Sequence, residues 1–533
     1  MNLTTFYVPA ALAILLLLQA TTCQGSGNDK LTVRTSTGTF TGLIDPNFPN
    51  TRQFRAVPFA KPPVVSRRFL APQKLPRSSE HHWATRFPPS CPQFVTAIES
   101  FWNLPLSNGN LIYNGFQNDS SGLVAESSSE DCLYLAVWTP TAPPPEGGFP
   151  VLFFMTGGGL VIGGVDIPWQ IPASWVERSQ SHIVVSINYR LNIIGFPNAR
   201  GLAGEQQNLG LLDQRIALEW VRDNIAAFGG NPKRITQWGR SAGSISLDIL
   251  AFAYPEDPIA QAYWLQSGSV LSGRTIIDTT YANFSFVARN VGCAFDDDED
   301  GAAELDCMRQ VPFAMLENFI GQYGDRGETP ALSFIFIPDD RMVFTDYKAR
   351  AEAGKFARVP SILSNTANEV STLVPWPADN LIEGPPQAPI TAADVRGVCD
   401  AYNRTVYYNR LDVPVYRYQY AGIFPNMNNY TWLGSYHGSD NPMIFGTYDL
   451  LNVVAPSTEF QAEVSESLQD HVLAFVKDPY HGPEKIGWTP QVASDPNGGK
   501  IMRFGSNGKA AQLVDGLEID GVCLGLREYD PFP

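Results

Sequence analysis

A chain of 533 residues, 44% hydrophobic and 17% charged, is long enough for a large core and too apolar to remain disordered. A formal net charge of −16 argues against nucleic acid or an anionic membrane surface as a partner.

The chain opens on an uncharged apolar run, FYVPAALAILLLLQA (6–20), followed by small and polar residues. A run of about fifteen suits a signal-peptide core, whereas a membrane span needs about 20. The expected leader is 1–23, cleaved near 20–25, with 24–533 forming one domain. An n-region without Lys or Arg keeps an uncleaved anchor as the alternative. No second apolar stretch of that length follows, so a secreted chain without a stable membrane anchor is expected. Beyond Cys23 stand six cysteines, Cys91, Cys132, Cys293, Cys307, Cys399 and Cys523. An even set behind a leader suits disulfides, and its spacing offers no zinc pattern. Sequons at Asn118, Asn283, Asn403 and Asn429 fit a glycosylated secreted protein.

Short apolar runs then alternate with glycine turns and amphipathic stretches. FPVLFFM (149–155) and HIVVSINYR (182–190) read as buried strands. LLDQRIALEWVRDNIAAFGG (211–230) reads as a helix with one apolar side, closed by Gly229-Gly230. ITQW (235–238) is a strand, and a helix opens at Ser241. AYWLQSG and VPSILSN look like further strands, YRYQYAGIF one near the far edge of the sheet, and TEFQAEVSESLQDHVLAFVKDP a final helix. This alternation predicts an α/β fold: a mostly parallel sheet with helices on both faces. The long connections 92–131 and about 371–412 are expected to be surface insertions.

Within ITQWGRSAGS, Gly239 and Gly243 flank Ser241 at a strand-to-helix junction. That placement suits a nucleophile elbow, in which the hydroxyl stands clear of the sheet before a helix N-terminus. A plain helix-capping serine would fit the pattern too. Gly157-Gly158-Gly159, directly after the first strand, can aim backbone N–H groups at a developing oxyanion; its bland reading is a flexible turn. A hydroxyl nucleophile needs a base. Among six histidines, His81 and His82 lie in a polar loop, His182 begins a strand, and His471 sits on the packed face of the last helix. His437 (SYHGSD) follows a strand and precedes the final helix, while His481 lies beyond it, so His437 is the candidate. For the orienting acid, Glu369 follows VPSILS at a sheet end. Asp339 and Asp340 look like turn residues, and Asp440 like a local loop contact.

These segments resemble the type-B carboxylesterase/lipase family, which includes cholinesterases and large fungal lipases and esterases. EDCLYLAVWTP (130–140) is similar to one family signature, and NLGLLDQRIALEWVRDNIAAFGGNPKRITQWGRSAGS (208–244) to the elbow region; NYRL, PSILSNTANEV and YHGSDNPMIFG match further blocks. The resemblance runs from about residue 30 to the C-terminus. It implies an α/β-hydrolase with long loop insertions, with Ser241 as nucleophile, Glu369 as acid and His437 as base. Gly158, Gly159 and Ala242 would form the oxyanion hole, with no cofactor and no metal. It also implies the pairs Cys91–Cys132 and Cys293–Cys307, leaving Cys399–Cys523; closing the first loop would contribute about 4 kcal/mol in the chain-entropy model. Three departures stand out: Thr156 before the triple glycine, Arg240 where cholinesterases carry Glu, and Val370 where Gly is usual. Arg240 argues against a cationic choline ester.

The expected activity is hydrolysis of a hydrophobic or aromatic carboxylic ester. Alternatives are a triacylglycerol lipase whose lid is the loop bearing Phe94, Phe101, Trp102, Leu104, Leu106 and Phe116, an esterase or acyl transferase acting on a secondary-metabolite intermediate, and a non-catalytic adhesion-type relative.

Overall fold

The computed structural model describes residues 29–102, 121–273, 275, 278–295 and 298–533. The expected leader, Leu104, Leu106, Phe116 and the Asn118 sequon lie outside them.

Eleven strands among the described residues form one sheet: β1 (Leu43–Ile44), β2 (Thr51–Pro58), β3 (Tyr134–Pro140), β4 (Phe149–Met155), β5 (Ile183–Ile187), β6 (Gly230–Arg240), β7 (Ala262–Gln266), β8 (Ser361–Thr366), β9 (Val415–Tyr420), β10 (Lys500–Ser506) and β11 (Lys509–Asp515). Their spatial order is 11-10-9-8-7-6-4-5-3-2-1. Strands β4 to β10 pair in parallel, and antiparallel strands close both edges. This is the α/β-hydrolase architecture of a mostly parallel sheet with helices.

The apolar runs become parallel strands because both of their faces are covered. Val151, Phe153 and Met155 of β4 enter one core with Ile245 and Ile249 of a helix at Ala242–Ala253. Leu152 and Phe154 enter the opposite core with Val464, Leu468 and Val472 of the last helix, Glu459–Lys477. A period of two with both phases buried leaves no polar alternation. On the second face Phe154, Trp238 and Trp264 pack in a row across β4, β6 and β7, the two indoles stacked 4.3 Å apart and the Phe154 ring tilted against Trp238. Each such pair contributes about 1 kcal/mol beyond its area.

We label the principal helices α1 (Leu209–Asn224), α2 (Ala242–Ala253), α3 (Gln387–Asn409) and α4 (Glu459–Lys477). The predicted helix after residue 211 is α1 plus a 3-10 turn, Ile225–Phe228, ending on Gly229 at φ 93°. YRYQYAGIF supplies the third strand from one edge of the sheet, with β10 and β11 outside β9. Two expectations need correction. The connection 371–412 is not merely a surface insertion: α3 spans most of it and buries Val398, Arg404, Tyr407 and Tyr408 against the sheet. His81 and His82 do not lie in a loop; they belong to a short strand beside Thr39–Thr41.

Cys91–Cys132, Cys293–Cys307 and Cys399–Cys523 are each joined by a disulfide. Among the sequon residues, Asn403 and Asn429 are exposed, while Asn283 donates from its side-chain amide to the Ser333 carbonyl. No helix among the described residues is long and apolar enough to cross a membrane.

Candidate active site

The chain passes from β4 to β5 on one side of the sheet and returns to β6 on the other side of β4. Such a reversal opens a crevice beyond the strands' carboxyl ends, the usual ligand site in open α/β sheets. Gly157-Gly158-Gly159 leaves β4 there, and Ser241 leaves β6 beside it.

Ser241 holds φ 55° and ψ −122°, a conformation L-residues rarely adopt and one that marks stored strain. Two glycines make this turn possible. A Cβ on Gly239 would stand 2.2 Å from the Gly243 carbonyl oxygen, and one on Gly243 would stand 2.2 Å from that of Met155. Strand, turn and helix can therefore close on one another only without those side chains. Ser241 makes no side-chain cap to α2, so the plain capping reading does not describe it.

The loops after β8 and β9 are zipped together by backbone bonds. Ala367 N–H donates to the Tyr420 carbonyl, Asn368 N–H to that of Ser435, and His437 N–H to that of Glu369. This clasp carries Glu369 and His437 toward Ser241. His437 Nε2 lies 2.8 Å from Ser241 Oγ, and Nδ1 lies 2.5 Å from Glu369 Oε2. Glu369 Oε1 accepts from Ser267 Oγ at 2.5 Å and from Thr366 N–H at 2.8 Å. Burial pushes this carboxyl's pKa up, but the His437 charge and these hydrogen bonds outweigh it and leave it below its ordinary value. An ionised carboxylate can only accept, so Nδ1 carries the proton and Nε2 is left to accept from the serine hydroxyl.

The glycine strand end faces the same spot. Gly158, at φ 106°, turns so sharply that a Cβ would meet the Ile162 carbonyl oxygen at 2.1 Å. The N–H groups of Gly158 and Gly159 donate to no acceptor among the described residues. Ala242, first in α2, has no acceptor within its own helix. Gly158, Gly159, Ser241, Glu369 and His437 share the wall of one cavity of about 420 Å³.

The other candidates sit elsewhere. His182 is fully buried against Trp175, and burial lowers its pKa to about 3. His471 packs between Trp488 and Phe504, and His481 is exposed. Asp339 Oδ1 accepts from three successive N–H groups, 341–343, as a turn residue does. Asp440 accepts from Tyr418 Oη on β9, and burial pushes it up to about 6. Of the expected lid residues, Phe94 lies in a two-stranded antiparallel pair with Leu123–Val124 held by the helix Phe313–Asp325, and Phe101 is buried against Tyr436. Trp102 stands edge-on to the His437 ring at 6.4 Å and lines the cavity.

The carboxylesterase family profile matches residues 29–388. Secreted lipase 5 of Gibberella zeae is 34% identical over 96% of this chain and 97% of its own length. A chlorogenic acid esterase of Aspergillus niger is 36% identical over 93% of this chain and 95% of its own. An acetylcholinesterase of Electrophorus electricus is 32% identical over 64% of this chain and 52% of its own. The chain belongs to the carboxylesterase family. It is a carboxylic ester hydrolase.

One group in this carboxylesterase's site escaped sequence reasoning. Ser267, the second partner of Glu369, follows β7 at the same sheet end as the other site residues; its place in AYWLQSG was the available signal. Arg240 is 3% exposed, lies 5.7 Å over the Trp102 ring and forms no ion pair among the described residues. Burial lowers its pKa, opposed by Asp440 and Glu369. A guanidinium there is a poor neighbour for a quaternary ammonium.

Proposed function

We propose that this carboxylesterase works through an acyl-enzyme on Ser241. His437 Nε2 removes the hydroxyl proton as Oγ attacks the ester carbonyl, and Glu369 holds the ring in the required tautomer while stabilising its charged form. The N–H groups of Gly158, Gly159 and Ala242 receive the developing oxyanion. The proton on His437 passes to the departing alcohol, leaving an ester between Ser241 and the acyl group. Water then repeats the sequence: His437 takes its proton, the carboxylic acid leaves, and Oγ regains its hydrogen. The observation that carries this reading is the continuous row from Ser241 Oγ through His437 to Glu369, beside free backbone donors.

The substrate is a small-molecule or lipid ester with a hydrophobic or aromatic part. Ile245, Leu265, Leu363, Val370 and Leu373 supply apolar cavity wall around the reacting atoms. We also propose secretion, on the strength of the apolar N-terminal run, the paired cysteines and relatives that are named secreted. Hydrolysis of p-nitrophenyl butanoate tests the mechanism. The Ser241→Ala variant should lose at least about 10⁴-fold in kcat while keeping its fold. Retention of more than a tenth of the activity would overturn the assignment.

A further inference from the structure

The clasp that brings Glu369 and His437 to Ser241 is braced from behind by residues 529–532. Tyr529 is buried, and its hydroxyl donates to the Ala367 carbonyl at 2.8 Å. Ala367 follows β8 directly and stands two residues before Glu369; its own N–H makes one of the bonds of the clasp. The same hydroxyl accepts from Gln419 Nε2 on β9 at 3.1 Å, and Gln419 Oε1 accepts from Arg503 Nε on β10 at 2.9 Å. A buried row of hydrogen bonds therefore runs from β10 across β9 to the backbone that carries the acid. The Tyr529 ring packs beside it with Val398 of α3, Ile501, Val514 and Ile519. Cys523, six residues earlier in the chain, is joined by its disulfide to Cys399 of α3.

Phe532 meets the other half of the clasp. Gly434, three residues before His437, turns at φ 55°, and a Cβ there would stand 2.8 Å from the Phe532 ring and 3.0 Å from Asn368 Cβ. The ring thus lies against bare backbone at the seam between the acid's loop and the base's loop. The cavity wall around Ser241 is built from other residues. What Tyr529 and Phe532 govern is where the two loops sit. Loops are the parts of a fold most free to move, and a reacting group carried on one needs outside support to hold its geometry. On the far side of Glu369, Val370 N–H donates to Asp394 of α3, so the acid's loop is held at both ends.

We propose that Tyr529 and Phe532 are positioning residues of the catalytic row: the Tyr529 hydroxyl fixes the loop of Glu369, and the Phe532 ring fixes the turn that leads to His437. This role rests on the acyl-enzyme reading above and gives it a part of the chain that touches neither the substrate nor the reacting atoms. Both residues act on the alignment through which His437 takes and returns protons, and not on the binding of the ester. Their loss therefore falls on kcat and spares KM.

The test measures kcat and KM for p-nitrophenyl butanoate in the wild type, Tyr529→Phe, Phe532→Ala, Ile519→Val and Ser241→Ala, each well below its melting temperature. Tyr529→Phe keeps the ring in its apolar surroundings and removes only the hydroxyl. Because a misplacement of about 1 Å costs about 10²-fold, loss of this bond should lower kcat about tenfold with KM within about twofold. Phe532 is 41% exposed, so Phe532→Ala keeps the fold, and its kcat should fall about threefold. Ile519→Val thins the same apolar cluster and leaves the hydrogen bonds in place; it should lower the melting temperature as Tyr529→Phe does and leave kcat unchanged. The proton between His437 Nδ1 and Glu369, far downfield in the NMR spectrum of the wild type, should shift or broaden in Tyr529→Phe and stay in place in Ile519→Val. A Tyr529→Phe kcat within about twofold of the wild type, an equal fall in Ile519→Val, or a loss expressed in KM overturns the inference and leaves the mechanism standing. An active Ser241→Ala enzyme overturns the acyl-enzyme reading itself, and the inference with it.

Discussion

Replacing Glu369 by glutamine should disable the enzyme through a proton on the wrong nitrogen. Glu369 Oε1 accepts two hydrogen bonds, from Ser267 Oγ and Thr366 N–H, so the glutamine carbonyl oxygen must occupy that position. The amide NH₂ then faces His437 Nδ1, 2.5 Å away in the wild type. Two donors cannot share that contact, so Nδ1 must give up its proton and accept. The ring is then protonated at Nε2, which points at Ser241 Oγ and can no longer remove its hydrogen. The equivalent exchange in Asp-based triads lowers kcat by about 10⁴, or about 5.5 kcal/mol of transition-state stabilisation. The assay is kcat for p-nitrophenyl butanoate at neutral pH, with the melting temperature confirming the fold. A Glu369→Gln enzyme within tenfold of the wild type would refute this account of the acid.

Three further outcomes follow from the geometry. Gly158→Ala would set a Cβ 2.1 Å from the Ile162 carbonyl oxygen in a backbone at φ 106°; displacing those N–H groups should lower kcat by about 10² to 10³ with little change in KM. Glu317 is fully buried, with Oε2 accepting from Asn192 and Oε1 without a partner among the described residues, and burial pushes it up to about 8. Because its folded pKa is raised, its contribution is fully present below about 4.5 and lost as pH rises toward 8. Glu317→Gln should therefore stabilise by up to about 3 kcal/mol at pH 7 and by nothing at pH 4, read from melting temperature against pH. Gly397 faces open cavity, with no atom within 4 Å of a Cβ placed there; Gly397→Leu should leave α3 intact and lower the octanoate-to-acetate ratio of p-nitrophenyl ester hydrolysis about tenfold or more.

The parts that were legible in the chain are those whose physics is local. β4 and β5 are continuous apolar runs, and the strand-turn-helix around Ser241 is marked by glycines that only close approach explains. His437 and Glu369 could be chosen because each follows a strand. The outer strands were not legible. β10 and β11 expose Lys500, Lys509 and Leu513 at an antiparallel edge, so their apolar content is diluted. Helix α3 was hidden because QAPITAADVRGVCDAYNRTV is rich in small and polar residues. What buries its Arg404 is Asp248, 156 residues earlier, together with the rings of Phe252, Phe356 and Tyr408. No local pattern announces a charge matched at that distance.

The central claim is that one serine is made nucleophilic by its neighbours, and a fluorophosphonate probe reads this directly. Mass mapping after labelling should find a single phosphonylated peptide, modified at Ser241, with labelling abolished in Ser241→Ala and slowed at least about 10³-fold in His437→Gln. An adduct on any other residue, or equally fast labelling of the His437→Gln enzyme, would contradict it.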